Sequence, residues 1–83
     1  MQITLKLFAL LDKYLPDGAV KNQIELTVAD DATVMDVIHS VKLPSEYCHL
    51  VLIDGVYIAP SERDARVLKE GEALAIWPPV AGG

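Results

Sequence analysis

The 83-residue sequence has few of the groups with which small proteins staple themselves together or carry out chemistry. One cysteine, Cys48, excludes an intramolecular disulfide framework, and with only His39 and His49 beside it no structural zinc site has its ligands or spacing. Basic residues are also scarce. Lys and Arg number 7 against 12 Asp and Glu, a net charge of −5 without a basic cluster, so neither nucleic acid nor an anionic membrane is expected as a partner. No apolar run approaches the roughly 18 residues of a spanning helix. The start Met1-Gln2-Ile3-Thr4 lacks the basic region of a secretory signal, and a cytoplasmic protein is expected. No glycine-rich phosphate loop, Gly-x-Ser-x-Gly elbow or His-Glu-x-x-His motif occurs. The acid pairs Asp30-Asp31, Glu62/Asp64 and Glu70/Glu72 fall in turns or caps without a further ligand at EF-hand spacing. The chain is therefore expected to bind no metal, to hold no cofactor and not to be an enzyme by itself.

Cys48 has no cause for a lowered pKa, since no lysine, arginine or helix start lies within two residues of it. On a strand its neighbour His49 points to the opposite face, which makes a Cys-His pair geometrically poor.

What the chain has in excess is apolar surface. Hydrophobic residues make up 52% before glycine is counted, against about 45–50% with glycine included in an average globular chain. This size supports one core. Gln2-Ile3-Thr4-Leu5-Lys6-Leu7 alternates with period two, and Gln23-Ile24-Glu25-Leu26-Thr27-Val28 does so again, which predicts two strands paired around a longer connection. Between them Phe8–Leu15 has a short helical spacing that Pro16-Asp17-Gly18 stops. Thr33-Val34-Met35-Asp36 fits a capping box, and Val34, Val37, Ile38 and Val41 behind it form one apolar stripe, with His39 opposite and Pro44 ending the helix. Leu50–Ile53, the tight-turn dipeptide Asp54-Gly55 and Val56–Ile58 predict a hairpin. Glu70-Gly71-Glu72 is another turn, after which Ala73–Trp77 predicts a final strand.

Two strands, a helix and three more strands make an α+β domain with one helix on one face of a mixed sheet. The β-grasp (ubiquitin-like) arrangement has this order, although from periodicity alone a ferredoxin-like half has it too.

The last eleven residues, Ala73 to Gly83, carry no charged side chain. Pro78-Pro79 favour an extended, stiff course directly after the strand, and only small or apolar side chains follow. Glycine has no Cβ, so Gly82-Gly83 would let the backbone pass a narrow channel and present a carboxylate to another protein's catalytic groups. The expected division is a domain over 1–77 and a tail over 78–83, mobile beyond Pro79.

Ile76-Trp77-Pro78-Pro79-Val80-Ala81-Gly82-Gly83 resembles the terminal signature of the MoaD/ThiS-like sulfur carriers. Leu7-Phe8-Ala9-Leu10-Leu11 is similar to that family's exit from its first strand, Leu52-Ile53-Asp54-Gly55 to its Val-Asn-Gly-type turn, and Leu68-Lys69-Glu70-Gly71-Glu72 to its Leu-x-Asp-Gly-Asp turn. The double proline resembles the molybdopterin synthase small subunit more than the thiazole-forming carrier. Leu11-Asp12 departs from the Arg-Glu that many small subunits have there.

The resemblance implies a β-grasp carrier whose Gly83 carboxylate is adenylated by an E1-like enzyme using ATP and made a thiocarboxylate by a persulfide sulfur donor. Gly82 and Ala81 would fit the channel, with Val80 before them, and Pro78 and Pro79 would aim the tail. The molybdopterin synthase large subunit would hold the pterin precursor that receives the sulfur. A carrier serving thiazole or another metabolite, a ubiquitin-like modifier and a plain interaction domain are the alternatives. Phe8, Ile76 and Trp77 are the expected partner contacts, Trp77 because it alternates away from Leu74 and Ile76.

Overall fold

The computed structural model describes residues 1–79. Five strands, β1 (Gln2–Leu7), β2 (Gln23–Thr27), β3 (Leu50–Ile53), β4 (Val56–Tyr57) and β5 (Ala73–Trp77), form one sheet in the order β2-β1-β5-β3-β4. The central pair β1 and β5 is parallel, and the other pairs are antiparallel. One α-helix, α1 (Val34–Ser40), packs on one face, completing the expected β-grasp.

Period-two alternation decides which face that is. Ile3, Leu5 and Leu7 of β1, Val51 and Ile53 of β3, and Leu74 and Ile76 of β5 are all buried against Val34, Val37 and Ile38 of α1 in one cluster. The capping box forms as expected: Asp36 N donates to Thr33 Oγ1 at 3.1 Å, and Thr33 N donates to Asp36 Oδ2 at 3.0 Å. Two further helix-start amides donate to the chain before β5, Val34 N to the Arg66 carbonyl and Met35 N to the Arg63 carbonyl, at 3.1 and 3.0 Å.

The helix ends earlier than Pro44 alone requires. Lys42 takes φ 60°, its N–H donates to His39 O at 3.0 Å, and Leu43 N donates to Ile38 O at 3.1 Å. These two bonds make a Schellman motif with lysine where glycine is usual, anchored by buried Leu43. Asp54 and Gly55, at φ 48° and 85°, supply the two positive angles of the β3–β4 turn. The hairpin is shorter than expected: β4 ends at Tyr57, and Ile58, whose N–H still donates to Val51 O at 2.9 Å, turns its side chain into the core. The segment after β1 forms a 3-10 helix over Ala9–Tyr14, which buries Leu11.

Glu72 locks the turn into β5. It accepts from Arg66 Nη2 at 2.7 Å and from Lys69 N at 2.7 Å, and the Arg66 hydrogen bond, aided by these charges, holds its carboxyl below the ordinary value of 4.5. A carboxyl depressed in the folded state adds stability above its unfolded pKa and loses it as pH falls through the lower folded value. The stability difference between the native chain and Glu72→Gln is therefore expected to be largest near neutrality and to shrink below about pH 4.3, read by urea unfolding at several pH values. A difference that grows on acidification would contradict this assignment.

Candidate functional site

The carboxyl end of β5 is held on both sides. Phe8 N donates to the Ile76 carbonyl at 3.1 Å from the β1 side, and His49 N donates to the Trp77 carbonyl at 3.0 Å from the β3 side. Pro78 and Pro79 follow without an N–H to continue either ladder, so pairing stops where the chain leaves the sheet. Tail departure is thus fixed by two strands that are themselves rooted in the core.

Of the expected contact residues, Phe8 and Trp77 come together and Ile76 does not join them. The Phe8 and Trp77 rings stack with centroids 4.1 Å apart and planes 3° from parallel, both half-buried at the surface. Ile76 is 0% exposed. It shares the parity of Leu74, so its side chain enters the core, and it is corrected here from a partner contact to a core residue.

Beside the stack lies an open groove of about 640 Å³, whose walls include Leu10, Leu11, Tyr14, Tyr47, Pro78 and Pro79. Leu10 is 80% exposed on its rim, and Lys13 lies along it with its ammonium 5.5 Å from the centre of the Tyr14 ring. The outer sheet face continues the apolar surface through Leu50, Leu52, Ala73, Ala75 and Tyr57, which alternate away from the core on β3, β4 and β5. On β1 and β2 the same face is polar, with Gln2, Thr4, Lys6, Gln23, Glu25 and Thr27. An apolar face beside the tail exit suits a protein partner.

Cys48 and His49 separate as expected, the first buried and the second exposed. Burial raises the Cys48 thiol pKa despite the opposing Arg63 charge, which disfavours the thiolate. Among the described residues, no group of three His, Cys, Asp or Glu side chains is placed to hold a metal ion.

Arg63 is the polar group that sequence reasoning missed. It is 4% exposed, donates from Nη1 to the Cys48 carbonyl at 2.8 Å and from Nε to the Ile58 carbonyl at 3.4 Å, and ties the entry of β3 to the exit of β4. Pro78 and Pro79 are described at the base of the tail, whereas Val80, Ala81, Gly82 and Gly83, and with them the expectation of mobility, lie outside the described residues.

Residues 1–82 match one family, described as Mut7-C ubiquitin. The chain belongs to this family. Comparison with curated proteins gives no match. Among solved structures, the HVO 2177 protein of Haloferax volcanii is 30% identical with a TM-score of 0.77, covering 100% of this chain and 87% of that one. SAMP1 of the same organism, a small archaeal modifier protein, is 28% identical with a TM-score of 0.69 and full coverage of both chains. A chain from the complex of subunits 1 and 2 of the molybdopterin-converting factor of Helicobacter pylori is 17% identical, with a TM-score of 0.62 and full coverage of both, a likeness of fold alone. This ubiquitin-like domain therefore has the fold that the small archaeal modifier protein and the molybdopterin-converting factor chain share.

Proposed function

We propose that this domain is a sulfur carrier whose reacting group is the carboxylate of Gly83. The observation that carries the reading is the end of β5: a central strand bonded on both sides runs directly into Pro78-Pro79, and the sequence beyond them is Val80-Ala81-Gly82-Gly83. A rigid base with a thin, uncharged extension suits delivery of a terminus into another protein's active site.

The chemistry follows from the carboxylate's weakness as an electrophile. An E1-like enzyme would join it to the α-phosphate of ATP, releasing pyrophosphate and giving an acyl adenylate with a good leaving group. A donor persulfide would then displace AMP to form an acyl disulfide. A donor thiol attacking that S–S bond would leave the thiocarboxylate on Gly83 and a disulfide on the donor. The Phe8–Trp77 stack and the groove beside it would seat the partners in turn. As acceptor we propose a pterin precursor held by a molybdopterin synthase large subunit, supported by the Pro-Pro-Val-Ala-Gly-Gly end and by the fold shared with the molybdopterin-converting factor chain. The likeness to SAMP1 favours a second reading, transfer of the activated Gly83 to a lysine amine as a protein modifier.

Incubation with ATP, an E1-like enzyme and a sulfide or persulfide source is expected to raise the intact mass by about 16 Da, the exchange of oxygen for sulfur. Deletion of Gly83 is expected to abolish the change. An unaltered mass, or a native chain that continues past Gly83, would overturn the carrier reading. Isopeptide-linked adducts with no thiocarboxylate would favour the modifier.

A further inference from the structure

The surface around the tail exit is bordered by cations, although the chain as a whole carries a net charge of −5. Phe8 continues the extended course of β1 at φ −106° and ψ 161°, so Lys6 and Phe8 share the outer sheet face. Lys6 is the register partner of Ala75, and Leu52 is Ala75's partner on the other side, which sets Lys6 at the β1 border of the apolar surface. Lys13 lines the groove beside the Phe8–Trp77 stack and is the charged residue of that lining among the described residues. Acids adjoin these lysines without pairing with them. Asp12 and Glu46 precede Lys13 and Tyr47 but do not line the groove, and Glu25 on β2 faces Thr4, diagonal to Lys6. Neither lysine has an ion-pair partner among the described residues.

Negative charge gathers at the other end of β1 and β5. Glu70 Oε1 accepts from Gln2 N and Asp54 Oδ1 from Ala73 N, both at 2.9 Å, and Asp30 Oδ1 accepts from the Met1 ammonium at 3.2 Å. Glu72, whose carbonyl accepts from Thr4 N, lies in the same place. The length of β5 separates these groups from Trp77 by about 13 Å, which exceeds the screening length of about 8 Å at physiological salt. Their field is therefore largely screened at the tail exit, where Lys6 and Lys13 adjoin the apolar surface directly.

We propose that the tail-exit surface takes a protein partner whose contact segment sets an apolar side chain in the groove and carries Asp or Glu on either side of it, to meet Lys6 and Lys13. Charges at the border of an apolar contact fix its register and reject the wrong segment. The rejected class is basic segments, which the net charge of −5 would otherwise draw in. Lys13 is suited to such a border because its ammonium lies 5.5 Å from the centre of the Tyr14 ring, at the rim where Leu10 is exposed. The inference names the partner's chemistry at the site described above, and it rests on the carrier reading for what that partner does.

Two end-blocked synthetic peptides, Glu-Leu-Phe-Leu-Glu and Lys-Leu-Phe-Leu-Lys, test this on the full chain without any enzyme. In about 0.15 M salt the acidic peptide is expected to give saturable shifts of the Trp77 indole and Leu10 methyl resonances, and the basic peptide none at these groups. Lys6→Glu and Lys13→Glu are each expected to weaken the acidic peptide about tenfold, and Lys6→Arg and Lys13→Arg to retain it. Lys13 is exposed, so Lys13→Glu keeps the test valid should Lys6→Glu fold poorly. With an E1-like enzyme the two charge reversals are expected to raise KM for charging about tenfold at unchanged kcat. A native chain that is never charged would count against the carrier reading, whereas the peptides decide the chemistry of the surface. No shift with the acidic peptide, equal or tighter binding of the basic one at Trp77 and Leu10, unchanged binding by both charge reversals, or self-association through Trp77 without peptide would each overturn the proposal.

Discussion

Ile76→Ala is expected to lower the unfolding free energy by about 3 kcal/mol, as fully buried isoleucine truncations do when the surrounding packing cannot collapse. Ile76 has no exposed surface and sits in the central strand, with Leu7 of β1 and Val51 of β3 as its register partners on either side. For a domain of this size that loss is about 12–24 °C in melting temperature. Trp77→Ala, one residue on, is expected to behave in the opposite way. Its ring is half-buried and stacked on Phe8, so its removal costs about 1 kcal/mol of stability. The same change strips an aromatic anchor from the surface beside the tail and is expected to cut kcat/KM for adenylation by an E1-like enzyme about 30-fold, near 2 kcal/mol. Urea unfolding and pyrophosphate exchange separate the two effects. A stable Ile76→Ala protein, or a Trp77→Ala protein that unfolds early yet is charged normally once folded, would reverse the assignment of core and contact on β5.

The contrast between these neighbours shows which parts of the structure are legible in the sequence. Parity along a strand is local information, so Leu74 and Ile76 against Trp77 read correctly as two faces, and the strands, the capping box and the positive angles at Asp54-Gly55 are equally local. Ile76 as a contact conflicts with its own parity, which it shares with Leu74, and the pairing of β5 between β1 and β3 puts both side chains in the core. Lys42 closing the helix in a left-handed conformation has no compositional sign, because it is the burial of Leu43 behind it that draws the chain round. The tail signature is legible only as sequence, since what it does lies in the chemistry of its terminus and in partners. Arg63 was illegible for a different reason. Its partners are backbone carbonyls, which carry no residue identity, brought to it from 15 and 5 residues away by the fold.

Arg63 consequently makes the sharpest test of how the body supports the site. Its guanidinium is buried with Nη2 unpartnered among the described residues, so the chain retains a desolvated cation whose return is the two bonds to Cys48 O and Ile58 O. Arg63→Ala would leave a cavity and two buried carbonyls without donors, and is expected to cost about 3–4 kcal/mol. Arg63→Met, which fills most of the volume without restoring a donor, is expected to cost about 2 kcal/mol. The difference between the variants reads packing, and the residue common to both reads the hydrogen bonds. A local signature should accompany the loss, because Cys48 precedes His49, whose N–H holds the Trp77 carbonyl at the foot of the tail. Amide exchange of His49 is expected to accelerate in both variants before global unfolding sets in, and the indole resonance of Trp77 is expected to shift, whereas exchange at the β1–β2 pair should change only with global stability. Native-like stability in both variants, or exchange that accelerates evenly through the sheet, would show that the Arg63 tie between the entry of β3 and the exit of β4 does not support the His49 bond at the end of β5.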